Sequence, residues 1–145
     1  MPSTTFTVST SLAPDRVLAL LTDFGPGRAE RWPNIDAAHF EVHEVGDGWA
    51  EVTEGNKMGW ERERYSWDAT AGTVSVDTLE SNLWAAGNGW RYVLTPSGAG
   101  TIVQVTLTRI GKSLPSKLIG ALIPIAGART LTKQLESVLR GAEQG

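Results

Sequence analysis

Residues 4–10, TTFTVST, alternate polar and apolar side chains, the period of a strand with Phe6 and Val8 on one face. The pattern then changes. In Ser11-Leu12-Ala13-Pro14-Asp15, Ser11 or Ala13 can cap a helix, Pro14 suits its first turn, and Asp15 favours its positive end. Val17, Leu18, Leu20 and Leu21 supply the apolar stripe. Asp23-Phe24-Gly25-Pro26-Gly27 ends this helix, because glycine allows unusual backbone angles and proline cannot continue the turn. Residues 28–32 predict one more short helical turn before Pro33.

From residue 38 to 110 the chain breaks into strand-like runs separated by turn residues. These runs are 38–45 (AHFEVHEV), 49–54 (WAEVTE), 58–68 (MGWERERYSWD), 73–81 (TVSVDTLES), 90–96 (WRYVLTP) and 101–110 (TIVQVTLTRI). The turn Ala86-Gly87-Asn88-Gly89 contains an Asn-Gly pair, a strong hairpin signal. Strands joined in sequence by tight turns predict an antiparallel meander. Residues 114–142 then predict one long helix, with Ser113 as cap, Pro115 near the first turn, and Leu118, Leu122, Leu131, Leu135, Val138 and Leu139 at helical spacing. Within it, 118–128 (LIGALIPIAGA) is apolar all round but too short for a bilayer, which needs about 20 residues. Pro124 predicts a kink there. The order of elements is α+β, with helices gathered on one side of an antiparallel sheet.

Composition narrows the function classes. At 145 residues the chain is expected to be a single domain, 1–145, with one sizeable core. A net charge of −3 without a basic stretch argues against nucleic acid as a partner. The absence of cysteine excludes disulfides, thiolate metal sites and Cys nucleophiles. The opening residues, MPSTTFTVSTS, lack the basic and apolar regions of a signal peptide, so a cytoplasmic protein is the default expectation. Six tryptophans imply a well-filled core or an amphipathic pocket wall.

Asp23-Phe24-Gly25 matches the magnesium-holding letters of a protein kinase, but no phosphate loop, strand lysine or catalytic-loop Asp and Asn accompanies it. His39, Glu41 and His43 in HFEVH invite a metal reading. On a strand, however, the two histidine backbones would lie about 13 Å apart. Phe40 and Val42 make the better core face, leaving the histidines in solvent. No nucleophilic triad or nucleotide fingerprint is present, and no metal or cofactor is expected.

The pattern APDRVLALLTDF…RWPNI, with MGWERERYSWD, LESNLW and WRYVLTP further on, resembles the START-related polyketide cyclase/dehydrase and lipid-transport superfamily (SRPBCC). The resemblance covers essentially the whole chain. It implies the helix-grip fold of birch-pollen-allergen and START-like proteins, a curved seven-stranded antiparallel sheet around a long C-terminal helix, with two short helices after strand 1. It also implies an internal cavity for an apolar or amphipathic ligand, with the 23–34 loop closing one end.

In such a fold, residues 60–67 (WERERYSW) are decisive. One face carries Trp60, Arg62, Arg64 and Ser66; the other carries Glu61, Glu63, Tyr65 and Trp67. An inward Arg64 would anchor a carboxylate or phenolate. An inward Glu61 would be desolvated and able to act as acid or base. Solvent-face ion pairs are the plainer alternative. Trp90, Tyr92 and Leu94 share one strand face, and Val103, Val105 and Leu107 share another; both are expected to look inward. The cavity candidates are therefore Trp32, Glu61, Arg64, Tyr65, Trp67, Asn82, Trp84, Trp90, Tyr92, Val105 and Leu122.

Three functions compete at this point. The first is binding of a small hydrophobic or amphipathic molecule (a lipid, polyketide or aromatic metabolite) by a monomer or homodimer without an integral membrane segment. The second is a polyketide aromatase/cyclase or dehydratase acting in the same cavity. It should bring at least two titratable groups onto one cavity wall, where a carrier needs one or none. The third, ranked last, is an interaction module using the apolar 118–128 stretch with Ile119, Ile123 and Ile125.

Overall fold

In the computed structural model, residues 3–87, 89–112 and 128–144 are described. Strand β1 (Ser3–Thr10) leads into helix α1 (Pro14–Leu21) and the short helix α2 (Arg28–Arg31). A 3-10 turn (Ala37–His39) precedes β2 (Glu41–Gly46), β3 (Trp49–Gly55), β4 (Trp60–Asp68), β5 (Thr73–Ser81), β6 (Gly89–Ser97) and β7 (Gly100–Thr108). Helix α3 (Ala128–Gln144) follows. The seven strands form one antiparallel sheet in the order β1-β7-β6-β5-β4-β3-β2. β1 therefore pairs with the last strand, and the rest is the meander that the turn spacing predicts.

Cross-strand register builds the inner face row by row. Leu107, Trp90, Val76, Tyr65 and Ala50 are successive partners across β7, β6, β5, β4 and β3. Val103 and Val105 pair with Val8 and Phe6 on one side and with Leu94 and Tyr92 on the other. The core closes when Val17 and Leu21 of α1 and Leu135, Val138 and Leu139 of α3 bury their apolar stripes against these rows. At the far end of α3, Glu143 accepts hydrogen bonds from Thr10 Oγ1 (3.0 Å) and the Ser11 amide (3.3 Å), tying the helix to the end of β1.

Some local expectations change. Ala13 is the residue preceding α1, and no side chain caps it. The 38–45 run is not all strand. Asp36 accepts from the amides of Ala38 and His39, which pins a 3-10 turn and delays β2 to Glu41. Phe40 does pack on the core, but Val42 is 39% exposed. Its partner Val52 is fully buried, so Val42 lies on the edge strand at the rim of the apolar face, beside a register shift at His43. Met58 and Gly59 belong to the turn before β4, and β7 stops at Thr108. Asn88 of the hairpin and the 113–127 segment lie outside the described residues. The latter includes the Ser113 cap, Pro115, the Pro124 kink, Leu118, Leu122 and the apolar isoleucines. Among the described residues no helix is long and apolar enough to cross a membrane.

Candidate functional site

A cavity of about 180 Å³ opens between the inner face of the sheet, the segment from α2 to Ile35, and Gln134 and Leu135 of α3. Phe6, Trp90, Tyr92, Val105 and Leu107 form its apolar wall, while Arg28, Glu54, Glu61, Glu63, Tyr65 and Arg109 bring charge and hydroxyl groups into it. At its rim, Gly55 has φ +140, and a Cβ there would sit 2.2 Å from the carbonyl oxygen of Gly59. Only glycine allows this close approach at the turn between β3 and β4.

The polar wall follows from strand parity. Ala50, Val52 and Glu54 share the inner face of β3, and Glu61, Glu63 and Tyr65 share that of β4. The register sets Glu54 directly opposite Glu61 and Val52 opposite Glu63. Two like charges facing each other in a buried row would be destabilising, and each is answered by its own arginine. Arg28 donates from Nε to Glu54 (2.6 Å), from Nη2 to Tyr65 Oη (2.9 Å) and from Nη1 to the Leu21 and Asp23 carbonyls. Tyr65 Oη in turn donates to Glu54 Oε2 (3.1 Å). Arg109 grips Glu61 with both Nη atoms, at 2.5 and 2.6 Å, and Thr78 Oγ1 donates to the same carboxylate at 2.7 Å. Trp84 and Trp90 lie 5.1 and 4.9 Å from the Arg109 guanidinium, close enough for cation–π attraction.

Glu63 stands between these pairs without an arginine. It is 2% exposed, and its Oε2 has no hydrogen-bond partner. Burial first, then the Glu54 and Glu61 carboxylates, push its pKa well above the usual carboxylate range, and Arg109 and Arg28 offset this only in part. Burial thus favours the protonated form of this carboxyl. Burial also raises Glu54, while Arg28 and Tyr65 pull it back. Tyr65 and Tyr92 are both pushed up, chiefly by burial, and keep their phenol protons. A second lining residue holds an orphan: Trp32 Nε1 is buried with no acceptor.

The Asp23-Phe24-Gly25 loop shapes this site rather than a phosphate. Asp23 Oδ1 accepts from the Gly25 amide (2.9 Å) and Oδ2 pairs with Arg31 (2.5 Å). The Gly25 amide, followed by Arg31, lowers the Asp23 pKa against the opposing effect of burial. Phe24 meets the Tyr65 ring edge-on with centroids 4.8 Å apart and lies 4.6 Å from the Arg28 guanidinium. The loop therefore turns the chain back so that Arg28 enters the core.

Of the candidates read from sequence, the structure brings Trp32, Glu61, Tyr65, Trp90, Tyr92 and Val105 into one cavity wall. Others stand elsewhere. Arg64 is on the outer face, paired with Glu51 (3.2 Å) and stacked over Trp49 (4.3 Å), because it has the opposite parity to Glu63 and Tyr65. Trp67 has inward parity, but it lies at the end of β4 against Phe24 and the core instead of the cavity. Asn82 accepts from the Trp60 amide and donates to the Met58 carbonyl, which fixes a turn. Trp84 bridges to Gly111 and stacks on Arg109 from behind the cavity lining. Leu122 lies outside the described residues. His39 contacts Asp36 at 3.1 Å, whereas His43 contacts Glu41 at 2.8 Å and Thr53 at 2.7 Å, so the histidines do not converge. Among the described residues no three His, Asp or Glu side chains gather to hold a metal ion.

Glu54, Arg109 and Arg28 were missed by sequence reading, and Glu63 was placed on a strand face without being counted among the cavity candidates. The first two carried a signal, since Glu54 ends the apolar alternation of Ala50 and Val52, and Arg109 ends that of Val103, Val105 and Leu107. A charge on an otherwise apolar face calls for a buried partner. Arg28 carried none, for its neighbours read as an ordinary polar turn.

No protein-family model matches the sequence, and no curated protein matches it. Solved structures do. The Zhui aromatase/cyclase from a Streptomyces species superposes with a TM-score of 0.80 at 18% identity, over 98% of this chain and 93% of that one. A START superfamily protein from Mycobacterium smegmatis gives 0.68 at 14% identity, over 94% and 98%. A Thermus thermophilus protein gives 0.73 at 20% identity, over 99% and 95%. The chain thus has the helix-grip fold of the START-related proteins, with the antiparallel sheet and C-terminal helix that the sequence pattern predicts.

Proposed function

We propose that the chain binds a small, mainly apolar molecule of one or two rings in the cavity between the sheet, Trp32 and α3. The observation that carries this reading is that two residues lining one cavity with an apolar wall, Trp32 and Glu63, each hold a buried polar atom without a partner, Nε1 and Oε2. Buried polar groups are normally satisfied, and acceptor oxygens on a ligand would supply the missing partners. A cavity of about 180 Å³ is on the scale of one that holds benzene, about 150 Å³, and is small for a long acyl chain. Native mass spectrometry of the purified protein, with extraction of whatever it carries, tests this. A retained ring compound supports the reading. An empty protein that also fails to bind a hydrophobic fluorescent probe overturns it.

A second reading, acid–base transformation of such a ligand by a polyketide aromatase/cyclase or dehydratase, is favoured by the convergence of Glu54, Glu61, Glu63 and Tyr65 on one wall. A protonated Glu63 can give its proton to a departing hydroxyl, releasing water. The resulting carboxylate can take a proton from the adjacent carbon, which leaves a double bond and restores the acid. Incubation with a β-hydroxy ketone of fitting size tests it. Water loss that disappears in Glu63→Gln while binding persists supports the reading; absence of turnover with bound ligand returns the chain to the binding class.

A further inference from the structure

The commitments of the charged groups restrict the ligand's chemistry; this inference rests on the binding reading above. Both arginines lining the cavity among the described residues are engaged. Arg28 has its donors on Glu54, Tyr65 and two backbone carbonyls, and Arg109 has its donors on Glu61 and Thr78. An anionic ligand head would have to draw one of them away and strand a buried carboxylate, which is strongly unfavourable. Beside the polar side chains of Asn34, Tyr92 and Gln134, the lining offers two buried groups without a partner, Trp32 Nε1, which can only donate, and the Glu63 carboxyl, which in its neutral form offers one O–H.

We propose that the cavity selects an uncharged ring compound bearing acceptor oxygens, a ketone or quinone, which takes the Trp32 indole N–H and the Glu63 carboxyl proton, and that it rejects the carboxylate of the same skeleton. The groups facing Glu63 agree with an uncharged occupant. Glu54 comes from β3, Glu61 and Tyr65 from β4, Tyr92 from β6, Arg28 from α2 and Arg109 from beyond β7, while α3 contributes the neutral Gln134 and Leu135. With Glu54 and Glu61 each matched by an arginine and burial favouring the neutral form of Glu63, the described part of the lining holds no uncompensated charge.

The test compares naphthalene, 1,4-naphthoquinone and 1-naphthoate by titration calorimetry. The chain has no cysteine, so thiol addition to the quinone does not interfere. The quinone is expected to bind at least roughly tenfold tighter than naphthalene, the change that one or two hydrogen bonds supply, with naphthoate the weakest. Trp32→Phe should bring the quinone toward naphthalene while naphthalene stays unchanged. Raising the pH should weaken the quinone in the parent chain but not in Glu63→Gln, whose amide still donates. Near-UV circular dichroism checks that both variants are folded. Equal affinity for naphthalene and quinone, tighter naphthoate, or a pH-independent quinone preference would overturn the inference and leave the binding reading standing. If none of the three binds, the ring-sized cavity reading fails and the inference falls with it.

Discussion

Strands β3 and β4 carry glutamates on both faces, and their ion pairs with arginine have opposite consequences. On the outer face, Glu51 meets Arg62 at 3.3 Å and Arg64 at 3.2 Å, and these arginine side chains are 41% and 44% exposed. On the inner face, Glu54 meets Arg28 at 2.6 Å with side-chain exposures of 7% and 3%. Outside, water screens each charge, and a pair is worth about 0–1 kcal/mol. Inside, each charge has left water, so the pair is held by necessity: removing one partner leaves the other stranded. Glu63 shows the third possibility, a buried acid with no paired cation, whose protonated form burial favours.

The sharpest way to break this contrast is Arg28→Met. It leaves Glu54 buried without its arginine and frees the Leu21 and Asp23 carbonyls. Chemical denaturation should show a loss of about 3–5 kcal/mol. A loss under 1 kcal/mol would mean that the inner pair behaves like the outer one.

Glu63→Gln comes next, and its sign depends on pH. Folding raises the pKa of Glu63, so the parent chain has its full stability below the ordinary carboxylate range and loses stability as pH rises toward the raised value. The amide has no such slope. The variant should match the parent at acidic pH and become the more stable of the two at neutral and alkaline pH, by ~1.4 kcal/mol for each unit of upward shift. Thermal melts across pH check this; parallel curves would mean that Glu63 has found a cation.

Tyr65→Phe removes one hydroxyl that joins Arg28 to Glu54 but keeps the ring that meets Phe24. A loss of about 1–2 kcal/mol by urea unfolding is expected. The smallest effect belongs to Arg64→Ala on the outer face. Stability should move by about 1 kcal/mol or less, and raising the salt concentration should shrink the difference further. A large, salt-insensitive loss there would show that outer and inner pairs differ less than their exposure implies.

Much of the fold was legible because local patterns are read locally. Period-2 alternation marked the strands, Pro14 and the apolar stripe marked α1, and the turn residues ordered the meander. The start of β2 was misread because the Asp36 cap, a single side chain bonding two amides, competes with strand pairing and leaves the apolar pattern unchanged.

The site was legible only in part. Parity alone put Glu61, Glu63 and Tyr65 on one face of β4 and Arg62 and Arg64 on the other, and the sequence by itself determined that division. It did not determine which face would be inner, since a strand's two faces differ only in what is packed over them. Helices α1 and α3 made that choice by burying their apolar stripes on one side. Tertiary structure likewise delivered Arg28 from the start of α2, 26 residues before Glu54 in the chain, and Arg109 from 48 residues beyond Glu61. An ion pair across such separations leaves no periodic trace in sequence, because it depends on where chain reversals place two side chains in a space from which water is excluded.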